Sequence, residues 1–234
     1  MRTRYVLSAV ISALLGFVAP GADDFSSLGY REDTVIESDG RDDCIGTFIC
    51  NHDYSFENAY CWQLGGLYPP YYGAIAEGYD LGPATIECGV FWFTQIAYMY
   101  PAPTDIYIWS GGVDAPPSEV LCLIPDVSDF HIGLWPTCSE NEVLINECVD
   151  SDFAVGYWQP LWGGACPFYC CADENGPGGH PWTCIAPGIG YPSGWQHPNV
   201  VWPNCKSMGI GATIIETPSP AESRTWGAIK SLFR

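Results

Sequence analysis

Between Arg41 and Lys206 the sequence has no lysine and no arginine. A surface without cations cannot neutralise phosphates, which excludes nucleic-acid binding by this stretch. Nucleotide and phosphoryl-transfer chemistry goes with it, because it leans on Lys, Arg and glycine-rich phosphate loops. Anionic membrane surfaces repel such a chain. Catalytic motifs are missing too. Gly190-Tyr191-Pro192-Ser193-Gly194 has the wrong spacing for a nucleophile elbow. No His-Glu-x-x-His is present, and His52, His131, His180 and His197 are scattered. There is no Cys-x-x-Cys pair for zinc or haem. A sustained 3.6-residue period is absent before the C-terminal tail, so long helices are not expected. No fixed-period repeat suggests a propeller or solenoid.

What is present begins with an export signal. Arg2 and Arg4 precede a mainly apolar run from Tyr5 to Val18, and Ala19-Pro20-Gly21 supplies small residues. This is the layout of a secretory signal peptide over residues 1–21, with cleavage near Gly21 or Ala22. The run is about 14 residues, short of the roughly 20 that span a bilayer. No later run reaches spanning length, so the mature chain is expected to have no transmembrane segment. All twelve cysteines follow the signal: Cys44, Cys50, Cys61, Cys88, Cys122, Cys138, Cys148, Cys166, Cys170, Cys171, Cys184 and Cys205. An even number behind an export signal predicts a disulfide framework. Spacing leaves the connectivity open. On an extended strand, adjacent Cys170 and Cys171 point to opposite faces and take different partners.

Removal of Arg2 and Arg4 with the signal leaves six basic against 27 acidic residues, a formal charge of −21. Residues 22–43 form a polar, acidic lead-in. From 44 to 216 many short β-favouring runs follow: 86–100, 105–109, 120–124, 130–135, 142–146, 153–158, 168–172, 200–202 and 209–215. Turn residues separate them, among them Pro101-Ala102-Pro103, Gly111-Gly112, Pro116-Pro117 and Asn175-Gly176-Pro177. The clearest alternation is Asp105-Ile106-Tyr107-Ile108-Trp109. This pattern predicts an all-β, antiparallel β-sandwich or jelly roll, rich in disulfides, with long aromatic loops at 68–73 and 187–202. Thr217-Pro218-Ser219-Pro220 is a stiff linker at 217–220. The tail 221–234 is basic and amphipathic. Trp226, Ile229 and Phe233 share a helical face, and Lys230 and Arg234 add charge. Such a tail suits either docking on the body or recognition by a secretion or surface-attachment machine.

Ser55-Phe56-Glu57-Asn58-Ala59-Tyr60 leading to Trp62 resembles the opening strand of bacterial secreted β-sandwich domains of the adhesin-like, choice-of-anchor kind. Asp105 to Trp109, Asp152 to Trp158 and Phe168 to Asp173 resemble later strands of such domains. The likeness covers about residues 55–175, and the tail resembles bacterial sorting tails in layout. It implies an extracellular, non-catalytic role and carries over no functional residues.

Three ligand chemistries are legible. Asp150-Ser151-Asp152 and the turn at Asp173 are oxygen-rich and suited to Ca²⁺. Trp158, Trp162, Trp182, Trp195 and Trp202 crowd one stretch and can stack on sugar rings from loops. Two placed carboxylates would suffice for a glycosidase; Glu87, Asp105 and Glu142 are nameable, but they read as solvent-facing strand positions. The expected function is an extracellular or cell-surface binding or adhesion module, with a glycan or another surface component as partner. The alternatives are a disulfide-held component of an extracellular layer and an acidic glycoside hydrolase.

Overall fold

The computed structural model describes residues 22–24, 35–38, 44–62, 73–97, 103–158 and 167–216. In chain order the strands are β1 (Ala22–Asp24), β2 (Val35–Ser38), β3 (Thr47–Cys50), β4 (Asn58–Trp62), β5 (Ala74–Tyr79), β6 (Ala84–Gln95), β7 (Thr104–Ser110) and β8 (Val120–Val127). Then come β9 (Gly133–Leu134), β10 (Thr137–Val149), β11 (Phe153–Trp158), β12 (Tyr169–Asp173), β13 (His180–Ile185), β14 (Gly194–Gln196), β15 (Ser207–Met208) and β16 (Ile210–Glu216). There is no α-helix among the described residues, and no helix there is long and apolar enough to cross a membrane. The chain is all-β, as its Gly/Pro-punctuated short runs predict.

The strands form two sheets. The larger has the order β1-β4-β12-β6-β10-β2, with β16 also on β6, β3 on β16, and short β9 and β15 at β6 and β12. The smaller has the order β14-β13-β5-β11-β7-β8. Pairing is antiparallel except for β2 on β10 and β9 on β6. The acidic lead-in thus contributes two short strands to the larger sheet.

Period-two alternation sorts each strand's side chains between a shared core and an outer face. Ile75, Ile106, Ile108, Phe153, Val155 and Tyr157 point inward from the smaller sheet and meet Tyr60, Ile86, Phe91, Phe93, Ile210 and Ala212 from the larger. Phe93 sits at the centre, its ring centroid 4.4 Å from Phe168, 5.2 Å from Phe130 and 5.3 Å from Tyr157. This is a sandwich core of interdigitated rings and branched side chains.

The disulfides lie on the outer face of the larger sheet. Cys44 bonds to Cys88, Cys138 bonds to Cys171, and Cys61 is also disulfide-bonded. Around them Phe56, Val90 and Trp92 form a second apolar layer with Phe48 and Trp135. The framework is smaller than the cysteine count predicts: Cys50, Cys122, Cys148, Cys170, Cys184 and Cys205 are free thiols. Alternation is the reason. Cys171 faces outward to Cys138, while neighbouring Cys170 is buried in the core, so the opposite-face expectation holds but only one of the two finds a partner. Cys148 is exposed on the larger sheet and Cys184 lies on the smaller, with the core between them. Those two thiols cannot meet within the roughly 7 Å between α-carbons that a bridge tolerates. Cys166, the signal segment, and the linker and tail with Trp226, Ile229, Lys230, Phe233 and Arg234 fall outside the described residues.

Candidate functional site

The outward positions of β5 are Ala74, Ala76 and Gly78, because Ile75, Glu77 and Tyr79 point into the core. Their neighbours on β11 are equally small. Ala154 lies opposite Gly78 and Gly156 opposite Ala76. A Cβ at Gly156 would come 2.2 Å from the Ile75 carbonyl oxygen, so only glycine fits there. The centre of the smaller sheet's outer face is therefore a shallow strip without large side chains. Aromatics rise on its borders. Tyr107 and Trp109 stand on β7, opposite Gly156 and Ala154. Trp182 on β13 lies opposite Ala76, and Trp158 on β11 lies opposite Ala74. Trp195 on β14 lies beside Cys184.

These five aromatic side chains form one cluster over Ala76 and Ala154, with Tyr107, Trp158, Trp182 and Trp195 all partly exposed. Tyr107 and Trp182 are three strand spacings apart, about 14 Å across the sheet. Tyr107 and Trp109 stack with centroids 5.0 Å apart and planes at 7°. Trp195 meets Trp109 at 5.1 Å and 75°, and Trp158 lies 6.4 Å from Trp195 at 52°. The rings make an angled ledge, not one plane. Trp182 is fixed by its indole N–H, which donates to the Gly112 carbonyl at 2.7 Å. Leu121 and Leu123 of β8 extend the apolar surface at the sheet edge, with Leu123 paired across from Tyr107. Of the groups that could carry charge, His180 lies at one end, and Asp105 on β7 accepts the backbone N–H of Asp126 at 3.0 Å.

Three of the five predicted tryptophans thus converge, and they do so from strands. Loops hold none of the three, because alternation had already turned them outward. Trp202 does not join them. It is 1 % exposed, stacks on Tyr60 at 4.6 Å and 7°, and belongs to the core. Trp162 lies outside the described residues. Tyr107 and Trp109 complete the cluster. Their sequence signal was the alternation at 105–109, which places both on one face.

The two oxygen-rich turns lie apart, one between β10 and β11 and the other after β12. No group of three or more His, Cys, Asp or Glu side chains that could hold a metal occurs among the described residues. Asp173 is fully buried and its oxygens are taken. Oδ1 accepts the N–H of Asn175 at 2.9 Å and of Gly176 at 2.6 Å, and Oδ2 accepts that of Asp53 at 3.1 Å. Lys206 closes the same turn by donating to the carbonyls of Asn175 and Gly176 at 3.0 and 3.2 Å. Asp150 and Asp152 stand elsewhere, in the turn between β10 and β11. The nameable carboxylates do not assemble as a trio either: Asp105 is on the smaller sheet, Glu87 and Glu142 on the larger. His52 and His197 serve local structure, each accepting a backbone N–H at Nδ1 from Tyr54 and Asn199.

No family model, no curated protein and no solved structure matches this chain.

Proposed function

We propose that the protein is an extracellular, non-catalytic binding module of adhesin-like type, and that its aromatic ledge takes a neutral glycan. One observation carries this reading: Tyr107, Trp109, Trp158, Trp182 and Trp195 gather over an alanine and glycine strip on an outer sheet face. Sugar rings present apolar C–H faces that pack on aromatic rings, and their hydroxyls stay in water. The rings dominate this face and Asp105 stands at its edge on β7, an arrangement that suits an uncharged polymer better than an ionic partner. The angle between Trp109 and Trp195 suits a single glycan chain lying along the ledge more than a flat crystalline surface. The disulfides and the export-like N-terminus support action outside the cell.

The test is a glycan array with the full chain, followed by affinity electrophoresis in the polysaccharide that scores. Trp182→Ala and Trp195→Ala should each weaken retention about tenfold, the order expected when an aromatic contact of 1–2 kcal/mol is lost. Retention that is unchanged in both variants, or absent for every neutral polymer, would remove the reading.

A further inference from the structure

Among the described residues, seven strands pair on one side and leave the other side open: β1, β2, β3, β8, β9, β14 and β15. Six of them are two to four residues long. β14 is also bracketed by Pro192 and Pro198. Short edges and prolines keep foreign strands off a sheet. β8 differs. It runs for eight residues at the margin of the smaller sheet, with β7 as its described neighbour. Over residues 120–124 it carries neither a charge nor a proline.

This run is apolar and open to water. Val120, Leu121 and Leu123 are 48, 37 and 45 % exposed. Val120 pairs with Trp109 and Leu123 with Tyr107, so both lie on the ledge side of the sheet. Cys122 and Ile124 turn the other way and pack on the core, which holds the strand in place from beneath. The ends of the run are marked by irregular backbone and by charge. Register shifts flank the regular pairing of residues 122–124 with β7. Pro125 has no N–H to offer, and Asp126 has a φ of 57° that turns the chain. What remains open is about five residues, or about 17 Å of strand. Exposed Glu119 stands at one end and exposed Asp126 at the other.

The N–H and C=O groups that an edge strand turns away from its neighbour can pair with an added strand. Charge decides which strand. A second copy of this chain brings 27 acidic residues and no cation between Arg41 and Lys206, so like charge keeps it away. A segment with cationic ends meets Glu119 and Asp126, while its apolar middle covers the exposed leucines. The short run suits a short segment and not an endless stack of strands. We infer that β8 is the docking edge for an extended peptide segment of a partner protein, with a β-branched centre and a lysine or arginine at each end. The segment adds a strand to the smaller sheet beside the ledge.

The probe is the peptide Lys-Val-Thr-Val-Thr-Val-Lys, acetylated and amidated so that its charges are the lysines alone, titrated into the full chain by calorimetry. Saturable binding is expected. The same peptide with glutamate ends should bind at least tenfold more weakly. So should one with proline at its centre, which lacks a ladder donor. Backbone amide exchange over residues 120–124 should slow when the lysine-ended peptide is bound. Glu119→Gln/Asp126→Asn should weaken that peptide about fivefold, the order expected for two surface ion pairs. The same variant should retain glycan on the ledge. Near-ultraviolet circular dichroism establishes that it is folded, and Glu119→Gln alone replaces a double variant that is not. Absence of saturable binding, equal binding of the glutamate-ended or proline-centred peptide, or full affinity in the neutralised variant would each overturn the inference. A dimer in sedimentation that Leu123→Lys dissociates would give the edge to a second copy and overturn it as well.

Discussion

Glu77 lies between the sheets with no exposed surface, yet every donor around it is aimed at its carboxylate. Asn51 Nδ2 and the His180 N–H donate to Oε1 at 2.7 and 2.8 Å, and the Met208 N–H donates to Oε2 at 2.8 Å. Those bonds favour the ion, but burial outweighs them and pushes the acid up to about 8. His52, on the outer face of the other sheet, is pushed the opposite way, down to about 4, again by burial. Both shifts favour the neutral form in the folded state, and they act oppositely on stability. Glu77 stabilises fully below its unfolded value near 4.5, and that stability is lost as pH rises through about 8. His52 stabilises above its unfolded value near 6.5, and its contribution is lost as pH falls toward 4. Between 4.5 and 6.5 the two slopes offset each other; from 6.5 to 8 only the decline from Glu77 remains. Thermal melts across pH should therefore be flat and then fall. His52→Gln should move the start of the fall down toward 4.5. Glu77→Gln should lower stability everywhere, since its amide nitrogen would face the Met208 N–H, but should erase the fall between 6.5 and 8. A slope unchanged by Glu77→Gln would place the titrating group elsewhere. Neither residue stood out in the sequence. A glutamate inside Ala-Ile-Ala-Glu-Gly-Tyr reads as a polar strand position, and only the fold shows it pointing inward.

At the level of strands, the sequence was legible where alternation was clean. β7 and β11 fall at the runs expected, and Tyr107 and Trp109 share a face as Asp105-Ile106-Tyr107-Ile108-Trp109 requires. It was silent where both faces are buried. β5 is buried along its whole length and made of small residues, so no period-two contrast marks it. β13 was hidden by Pro181 near its start. The expected strand at 200–202 is instead the end of a 3-10 turn over Pro198–Val200, where proline removes a ladder donor and Trp202 folds back into the core. The disulfides act on elements in turn. Cys138–Cys171 joins β10 to β12 across the intervening β6, over a separation of 33 residues. Replacing both by serine should cost about 2–4 kcal/mol, chiefly by freeing the unfolded chain. The measurement is a denaturant melt with both slope and midpoint recorded. Since the pair lies on the outer face of the larger sheet, the variant should keep the aromatic ledge on the other sheet and its ligand retention.

Across the whole molecule the cysteines divide by layer, and the division is chemically readable. Cys170 and Cys205 lie in the core at 0 and 1 % exposure, with burial pushing both thiols far above their ordinary value. Cys184 is half-buried on the aromatic side, its thiol raised to about 11 by burial. Cys148 alone among the described free thiols is exposed. Counting cysteines behind an export signal could not anticipate this, because pairing depends on which face each strand turns outward. Alkylation with iodoacetamide reads the layers directly. In the native protein Cys148 should be modified first, since reaction requires access and a thiolate. Cys170 and Cys205 should remain unmodified until denaturant is added. They should then react without any reductant, whereas Cys44, Cys88, Cys138 and Cys171 should need reduction as well. Peptide mapping by mass spectrometry assigns each adduct. If Cys170 and Cys205 resist alkylation in denaturant until a reductant is present, they are oxidised, and a further bridge on the core side of the larger sheet ties β12 to the segment leading into β15.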